Sequence, residues 1–364
     1  MDPVENSTAT GARAAFMEGL VKPSALSVSL MLASLLVFIL AFVFGSQQLM
    51  QAGQGHLFAT NRYDSDAFVT SELERLKDIP TEKPLLAISG ASVTYSSFGT
   101  EEEIARDYKA RFGTDVDVAL LSSGRMPLTS SIMILDHLPK NRPVIAVLGV
   151  GPSRFTMPSE EVTEPFTTTR FGTSSPAELE LRKELGVPAQ RETGFLVVDH
   201  GGFYIVRLWA FFRNVLRLAI TGHGVIRDDE RYIGLTASDR FKELRANAVV
   251  ERFDHSDKAR VLNEGLLEKA ISLAKSRPNM QLYIVEHPIN PSFVSEYLGE
   301  DRYARHLARM KALTARNDVP YWTIGKDLDL GESNFYDWAH ISSEEAQGKL
   351  RRSLIDHLKQ VQDD

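Results

Sequence analysis

The sequence predicts an α/β fold, with a five-stranded parallel sheet between helices and one transmembrane helix before it. Short apolar runs of strand length alternate with helical patterns after residue 64. These runs are apolar at successive positions, as in Val144–Leu148, which is typical of strands buried on both faces of a parallel sheet. One long segment near the amino terminus carries no charge. Strands that alternate with helices place helices on both faces of the sheet.

The composition is that of a folded globular protein that is acidic overall. The chain has 364 residues, of which 43% are hydrophobic and 24% charged, enough for one large domain with a sizeable core. A net charge of −7 argues against nucleic-acid binding, which requires a basic face. The absence of cysteine excludes disulfides, thiolate metal sites and a cysteine nucleophile. No acidic or histidine cluster has metal-ligand spacing, so we predict neither a metal nor a cofactor.

The amino-terminal segment predicts a single-pass membrane protein. Residues 1–24 form a polar tail whose only cations are Arg13 and Lys22. Residues 25–45 contain no charge and are long enough to cross a hydrocarbon core of about 30 Å. Because the cations precede this segment, we expect the tail in the cytoplasm and the rest of the chain in the periplasm, outside the cytoplasmic (inner) membrane. The alternatives are a buried core helix and a signal peptide cleaved near Val43–Gly45, although the apolar run is long for a signal peptide.

The first part of the remaining chain predicts three strand–helix units. Residues 46–63 are expected to be a linker, and residues 64–364 one domain with an insertion at about 152–255. A capping box at Thr100–Glu103 starts one helix, and Pro127 suits the first turn of another because its missing N–H needs no partner there. The predicted elements are a helix over 64–77, a strand over Leu85–Ser89, a helix after Thr100–Glu103, a strand over Val116–Leu121, a helix over Pro127–Leu138 and a strand over Val144–Leu148.

The alternation of strands and helices stops in the insertion and resumes after it. A second capping box over residues 342–345 starts the last helix, which is expected to end at about Gln360. The predicted elements are a helix over Pro176–Leu185, a strand over Phe195–Val198, a helix over Asp257–Ser276, a strand over Gln281–Val285, a helix over Asp301–Asn317 and a strand over Tyr321–Ile324.

One segment of the insertion, residues 203–220, is basic and aromatic and contains no acidic residue. On a helix, Arg207, Arg213 and Arg217 fall within one sector, and apolar side chains cover the rest. A helix of this kind lies in a membrane interface or docks on a multipass membrane partner. The alternative is an ordinary core helix of the insertion.

Four loops that follow strands are expected to meet at one edge of the sheet. Right-handed crossovers place the carboxyl ends of parallel strands, where ligands bind, along the same edge. The loops carry Ser92 after the first strand, Gly124 after the second, Ser153 and Arg154 after the third, and Asp337 and His340 after the fifth.

These are the groups that acyl transfer requires. The Ser92 hydroxyl is a weak nucleophile until a base such as His340 accepts its proton. Asp337, three residues before His340, can orient the imidazole and stabilise its protonated form. The backbone N–H groups of Ser92 and Gly124 are candidates for an oxyanion hole. The sequence therefore predicts a Ser-His-Asp site at this edge.

The order of these motifs resembles that of the SGNH (GDSL-like) hydrolases. The shared blocks are Gly90-x-Ser92-x-Thr94, Gly124, the glycine turn at 149–151 and Asp337-x-x-His340. The resemblance implies a flavodoxin-like three-layer fold. Within the group, the chain looks most like the membrane-anchored DltD and AlgJ-type acyl-transfer proteins. It shares with them a single amino-terminal span and blocks at 151–155, 284–290 and 336–341, over roughly residues 25–355.

Two departures from the family pattern concern the site. Ala91 stands where the family has Asp, and no Asn occurs in the third block, Gly149–Ser153. Loss of this oxyanion donor would cost on the order of 10²–10³ in rate unless another group replaced it. Ser153 and Arg154 are the candidates for this replacement and for substrate binding.

The resemblance implies an acyltransferase that works outside the membrane beside a multipass membrane-bound O-acyltransferase (MBOAT). Its acyl group would be of acetyl or D-alanyl type and its acceptor a cell-surface polysaccharide or other polymer. One alternative is an esterase or deacetylase of the same type that uses water as acceptor. Another is a non-catalytic module that binds a glycan or a protein partner through the same groove.

Overall fold

A computed structural model of the chain describes residues 24–77, 82–189, 193–228, 232–254 and 257–363. The described residues fall into two compact units, the first ending at Gln48 and the second beginning at Leu49. The first described element is helix α1, Ala25–Gln51, which by length and composition could cross a membrane. Its 27 residues span about 40 Å. The predicted apolar helix is therefore present, and it runs past residue 45 into the segment predicted as a linker.

The second unit begins with the predicted strand–helix alternation. A one-turn 3₁₀ helix over Gly55–Leu57 precedes it. The elements that follow are α2 Ser65–Lys77, β1 Leu85–Gly90, α3 Ser92–Phe98, α4 Glu101–Phe112, β2 Asp117–Ser122, α5 Leu128–His137 and β3 Val144–Val150.

A helical segment then separates β3 from the last two strands. It comprises α6 Pro152–Phe155, α7 Ser159–Thr167, α8 Pro176–Glu184, α9 Leu196–Asp199, α10 Gly201–Thr221, α11 Asp239–Asp254 and α12 Asp257–Lys275. The remaining elements are β4 Met280–Glu286, α13 Pro291–Phe293 with a π-helical turn over Val294–Leu298, α14 Glu300–Arg316, β5 Tyr321–Thr323, a 3₁₀ turn over Glu332–Asn334 and α15 Glu344–Asp363.

All five strands form one parallel sheet in the order β2-β1-β3-β4-β5. The central strand β1 pairs with both neighbours, and Ile88 lies opposite Leu120 and Val147. Successive β1 residues point to opposite faces of the sheet. Leu85 joins a core cluster with α2, α5 and α12, whereas Leu86 joins another with α3, α4 and α15. The predicted three-layer, flavodoxin-like α/β architecture is thus confirmed.

Four elements of the insertion differ from the sequence-based expectation, and two of them, α6 and α7, lie where no element was predicted. The strand predicted over Phe195–Val198 is the short helix α9, because the Asp199 carboxylate accepts hydrogen bonds from the N–H groups of Thr193 and Gly194 and closes a turn there. A short apolar run does not distinguish strand from helix by itself. Helix α11 was not predicted, since its sequence is highly charged and lacks a clear apolar stripe.

Candidate active site

Ser92 lies at the junction between the central strand and a helix. Strand β1 ends at Gly90, Ala91 is extended at φ −79° and ψ −174°, and Ser92 is the first residue of α3. The Ser92 side chain is half-buried. Its N–H belongs to the first turn of a helix, where backbone donors have no intrahelical acceptor. Both its hydroxyl and its N–H are therefore placed at the carboxyl edge of the sheet.

Glycines at the ends of β1 and β3 make room for a buried polar pair beside Ser92. Thr94 Oγ1 lies 2.9 Å from His287 Nε2. A Cβ atom on Gly90 would come within 1.9 Å of Thr94 Oγ1, and one on Gly149 within 2.3 Å of His287 Nε2. Side chains at these two positions would clash with the pair, so the glycines permit this packing. Burial, and secondarily the positive charge of Arg154, lower the pKa of His287 to about 3.

Asp337 and His340 lie in a closed turn that fixes their relative position. An antiparallel bridge joins Phe335 to Ile341, and the Tyr336 N–H donates to the His340 carbonyl at 2.7 Å. Asp337 Oδ1 accepts from the backbone N–H groups of Ala339 and His340, each at 3.0 Å. The three-residue spacing therefore brings the carboxylate directly against the imidazole.

The three predicted catalytic side chains form one hydrogen-bonded chain. His340 Nδ1 lies 2.9 Å from each carboxylate oxygen of Asp337, and His340 Nε2 lies 2.8 Å from Ser92 Oγ. Because the ionised carboxylate can only accept, the proton belongs on Nδ1, and the Nε2 lone pair faces the serine hydroxyl. A serine held in this way can pass its proton to the imidazole as it attacks a carbonyl carbon.

Asp337 is held in its ionised form. Its residue is 1% exposed, and burial alone would raise its pKa. The hydrogen bond and charge of His340, with the two backbone N–H donors, outweigh burial and lower the pKa of Asp337 to about 2. The group is therefore ionised over the whole range in which a histidine base operates.

This pKa predicts a specific loss of stability in acid. Because folding lowers the Asp337 pKa from 3.8 to about 2, the ionised group stabilises the fold above pH 4, and this is lost as pH falls through about 2. The free energy of unfolding of wild type, minus that of Asp337→Asn, is expected to fall by about 2 kcal/mol as the pH is lowered from 5 to 2. Urea titrations at each pH measure this difference in stability. For the exposed-site variant Asp301→Asn, the stability difference from wild type should not change with pH. If the difference between wild type and Asp337→Asn were also independent of pH, the prediction would be contradicted.

The predicted oxyanion donors lie on adjoining loops. The Ser123 N–H donates to the Gly90 carbonyl at 3.2 Å, which ties the end of β2 to the end of β1. Gly124 follows at a half-buried position, and its carbonyl accepts from Arg170. Among the described residues, no protein acceptor takes the N–H of Gly124. Its role as an oxyanion donor with Ser92 remains a prediction.

Arg154 is buried and supports the fold, and substrate binding by it remains a prediction. It is 2% exposed, and its guanidinium donates to the Gly149 and Pro127 carbonyls and to Ser131 Oγ at 2.7–2.9 Å. Burial, and secondarily Arg170, lower the pKa of Arg154 to about 9. With these bonds the side chain fixes the loop after β3, beside the cleft that it lines together with Ser153.

Ser153, by contrast, keeps a position at the surface. It is half-buried and lies with Ala91, Val93 and Ile289 along a narrow, mostly apolar cleft next to Ser92. Substrate binding by Ser153 therefore stays a prediction that the geometry permits.

Three contacts of the Asp337–His340 turn were not predicted from the sequence. The Tyr232 ring stacks on the His340 ring at 4.2 Å between centroids. Arg245 Nη2 lies 3.7 Å from Asp337 Oδ2. Asn290 Nδ2 donates to the Asp337 carbonyl at 3.3 Å. Tyr232 and Arg245 come from the insertion and belong to no motif, whereas Asn290 closes the block at 284–290.

An open cavity of about 370 Å³ adjoins the buried acid of the site. Its wall is mainly aromatic, with one guanidinium beside the carboxylate, and is formed by Tyr63, Tyr232, Leu235, Phe241, Arg245, Tyr336 and Asp337. Such a surface suits a flat, partly polar ligand that stacks on rings. Within the described ranges, no group of three or more His, Asp or Glu side chains could hold a metal ion.

Comparisons with known proteins include a distant structural likeness. No protein-family model matches the sequence. No curated protein is similar to it either. Among solved structures, the chain is similar to "a putative arylesterase from Agrobacterium tumefaciens str. C58". The identity is 11% and the TM-score 0.33, over 77% of this chain and 99% of the other. A likeness at that level carries no argument about chemistry.

Proposed function

We propose that the chain is a membrane-anchored serine acyltransferase that forms an acyl-enzyme on Ser92. The observation that carries the proposal is the hydrogen-bonded chain from Ser92 Oγ through the His340 imidazole to the buried Asp337 carboxylate. Nucleophile, base and orienting acid are within direct hydrogen-bond distance, which is the geometry that nucleophilic catalysis requires.

In the proposed reaction, Ser92 Oγ attacks the carbonyl carbon of an ester or thioester donor and His340 Nε2 takes its proton. Asp337 stabilises the imidazolium, and the N–H groups of Ser92 and Gly124 bind the oxyanion. Collapse of the intermediate breaks the bond to the leaving group, which accepts the proton from His340. An acceptor hydroxyl then gives its proton to His340 and attacks the acyl-serine. As the bond between the acyl group and Ser92 Oγ breaks, Oγ takes the proton back from His340, and Ser92 is regenerated.

Two observations support a large hydroxyl acceptor, such as a cell-surface polysaccharide. The aromatic cavity beside Asp337 is open and could hold a sugar ring against Tyr232 or Phe241. Without the third-block Asn the oxyanion hole has fewer donors, so attack on the acyl-serine is slow unless the acceptor is bound and positioned beside it, as a polymer hydroxyl would be and free water would not. The acetyl or D-alanyl nature of the acyl group, the MBOAT partner and the periplasmic location rest on the resemblance to DltD and AlgJ-type proteins.

A second candidate, an esterase that uses water, is favoured by the accessibility of the serine. Ser92 is only half-buried, so water can reach the acyl-enzyme. The same three side chains would serve this reaction. The transferase and the esterase differ only in what accepts the acyl group from Ser92, a polymer hydroxyl or water.

A fluorophosphonate probe tests for the nucleophile. We expect it to label the full-length protein in isolated membranes, and we expect Ser92→Ala to abolish labelling because the probe reacts with an activated serine. The exposed-site variant Ser295→Ala should label as wild type. If wild type does not label, the chain is a non-catalytic binding module instead.

The acceptor is tested with p-nitrophenyl acetate and soluble oligosaccharides. A transferase should release p-nitrophenol several-fold faster when the oligosaccharide is present and should yield an acetylated sugar. Release without any acetylated sugar would identify the esterase. In cells, unchanged polymer acylation in a Ser92→Ala strain would overturn the transferase assignment.

A further inference from the structure

Helix α10, Gly201–Thr221, is fastened to the protein by one face. The buried Asn214 side chain donates through Nδ2 to the carbonyls of His56, Leu57 and Ala59 at 2.8–3.3 Å. Arg207 pairs with Asp64 at 2.8 Å. These bonds hold the helix in a defined orientation against the segment that follows α1.

The opposite face of α10 is apolar and exposed. Its five exposed apolar side chains follow one another at intervals of four, three, four and four residues. On a helix this spacing places all five in one stripe. The exposed fractions reach 76% at Trp209 and 74% at Ile220. This apolar stripe consists of Ile205, Trp209, Phe212, Leu216 and Ile220. A stripe of this length on a water-facing helix indicates a docking surface.

A basic cavity of about 870 Å³ adjoins the stripe. Arg213 and Arg217 of α10 reach it from one side, and Arg62 and Arg227 also line it. Among the described residues of its wall, the one acidic side chain is that of Asp228, which pairs with Arg62 at 3.3 Å. In a chain of net charge −7, this cavity is a local concentration of positive charge that suits a phosphate-bearing ligand.

The chain between α1 and the residues that bind α10 is short, which limits the distance between α10 and the end of α1. Leu57, whose carbonyl accepts from Asn214, follows Gln51 by only a few residues. A chain of that length spans at most about 20 Å. If α1 crosses a membrane, the segment that carries α10 is therefore held close to the bilayer surface.

We propose that the apolar stripe of α10 inserts into the outer surface of the bilayer, and that the basic cavity binds anionic phospholipid headgroups. An interfacial helix buries its apolar face at the boundary between headgroups and acyl chains while its cations contact anionic lipids. The chemistry at Ser92 is not required for this docking, so the inference stands apart from the proposed function.

Tryptophan fluorescence of the full-length protein tests the insertion. The protein is incorporated at one copy per nanodisc, which excludes a second copy as the occupant. The lipids are phosphatidylcholine brominated near the headgroup end of its acyl chains, with or without phosphatidylglycerol. The Trp209 signal is the difference between wild type and Trp209→Phe. We expect brominated lipid to reduce this signal at least twofold.

A matched control places tryptophan at an exposed position on another helix. The variant Leu179→Trp, in the Trp209→Phe background, reports from α8 and should be quenched by less than a fifth. The paired variant Ile205→Ser/Leu216→Ser should lose most of the quenching at Trp209, with an unchanged circular dichroism spectrum. Quenching at Trp209 no stronger than at Leu179→Trp would overturn the insertion.

The headgroup site has its own test in the same discs. Phosphatidylglycerol should increase the quenching of Trp209, and Arg213→Gln/Arg217→Gln should remove this increase while quenching in pure phosphatidylcholine persists. An increase that survives in the double variant, or no effect of phosphatidylglycerol on wild type, would overturn the assignment of the cavity to anionic headgroups.

Discussion

Replacing His340 with alanine is expected to lower kcat/KM for an activated ester by roughly 10⁴–10⁶-fold. The variant loses the base 2.8 Å from Ser92 Oγ and leaves the buried Asp337 carboxylate without its partner. Loss of Ser92 should be as damaging, and the two losses should not add, because the side chains act as one unit. The measurement is the rate of p-nitrophenyl acetate cleavage by purified full-length protein.

The matched control for this experiment is His357→Gln. His357 lies on α15, where its Nδ1 contacts the Ser353 carbonyl at 2.7 Å, and it makes no contact with the triad. The control should retain activity within about twofold. Residual activity above a tenth of wild type in His340→Ala would show that another group is the base and would refute the proposed site.

The second large effect is expected on stability, from Arg154→Met. The change removes the donors to the Gly149 and Pro127 carbonyls and to Ser131 Oγ, and all three acceptors lie in the interior. We expect the free energy of unfolding to fall by about 3 kcal/mol or more, since each unsatisfied buried acceptor costs about 1–3 kcal/mol. Urea unfolding of the full-length protein in detergent measures it.

Arg106→Met provides the control for this substitution. Arg106 is largely exposed, and its contacts with Glu103 and Asp107 are 3.6–3.7 Å long, so its removal should change stability by less than about 1 kcal/mol. If Arg154→Met left stability unchanged and raised only KM, Arg154 would bind substrate, as the sequence had suggested.

Much of the fold follows from local signals in the sequence. Five of the six predicted strands are present, because their apolar runs need burial and a parallel sheet between helices provides it. The capping box at Thr100 and Glu103 forms as predicted, with both hydrogen bonds present. The helix predicted at 203–220 is also present as α10. Most failures lie in the insertion, where α9 and α11 lack a decisive pattern; outside it, α3 was not predicted and α1 continues into the segment predicted as a linker.

The candidate site could be predicted for two reasons. Asp337 and His340 are close in sequence, and the loops that carry the site residues follow strands of one parallel sheet. Asp337 and His340 are three residues apart, so a single turn joins them whatever surrounds it. Ser92 lies 2.8 Å from His340, although 248 residues separate them, because right-handed crossovers bring both loops to one edge of the sheet. The apolar run before Ser92 and the turn at 335–341 were enough to predict this meeting.

What the sequence by itself determined is the alternation of elements, the apolar helix before them and the loops that carry Ser92, Asp337 and His340. Only the tertiary structure decided that Arg154 is buried under the loop after β3 and that Tyr232 and Arg245 reach the Asp337–His340 turn. The physical reason is the distance along the chain over which each effect acts. Strand and helix signals depend on neighbouring residues, whereas the direction of a side chain depends on which distant segments pack around it.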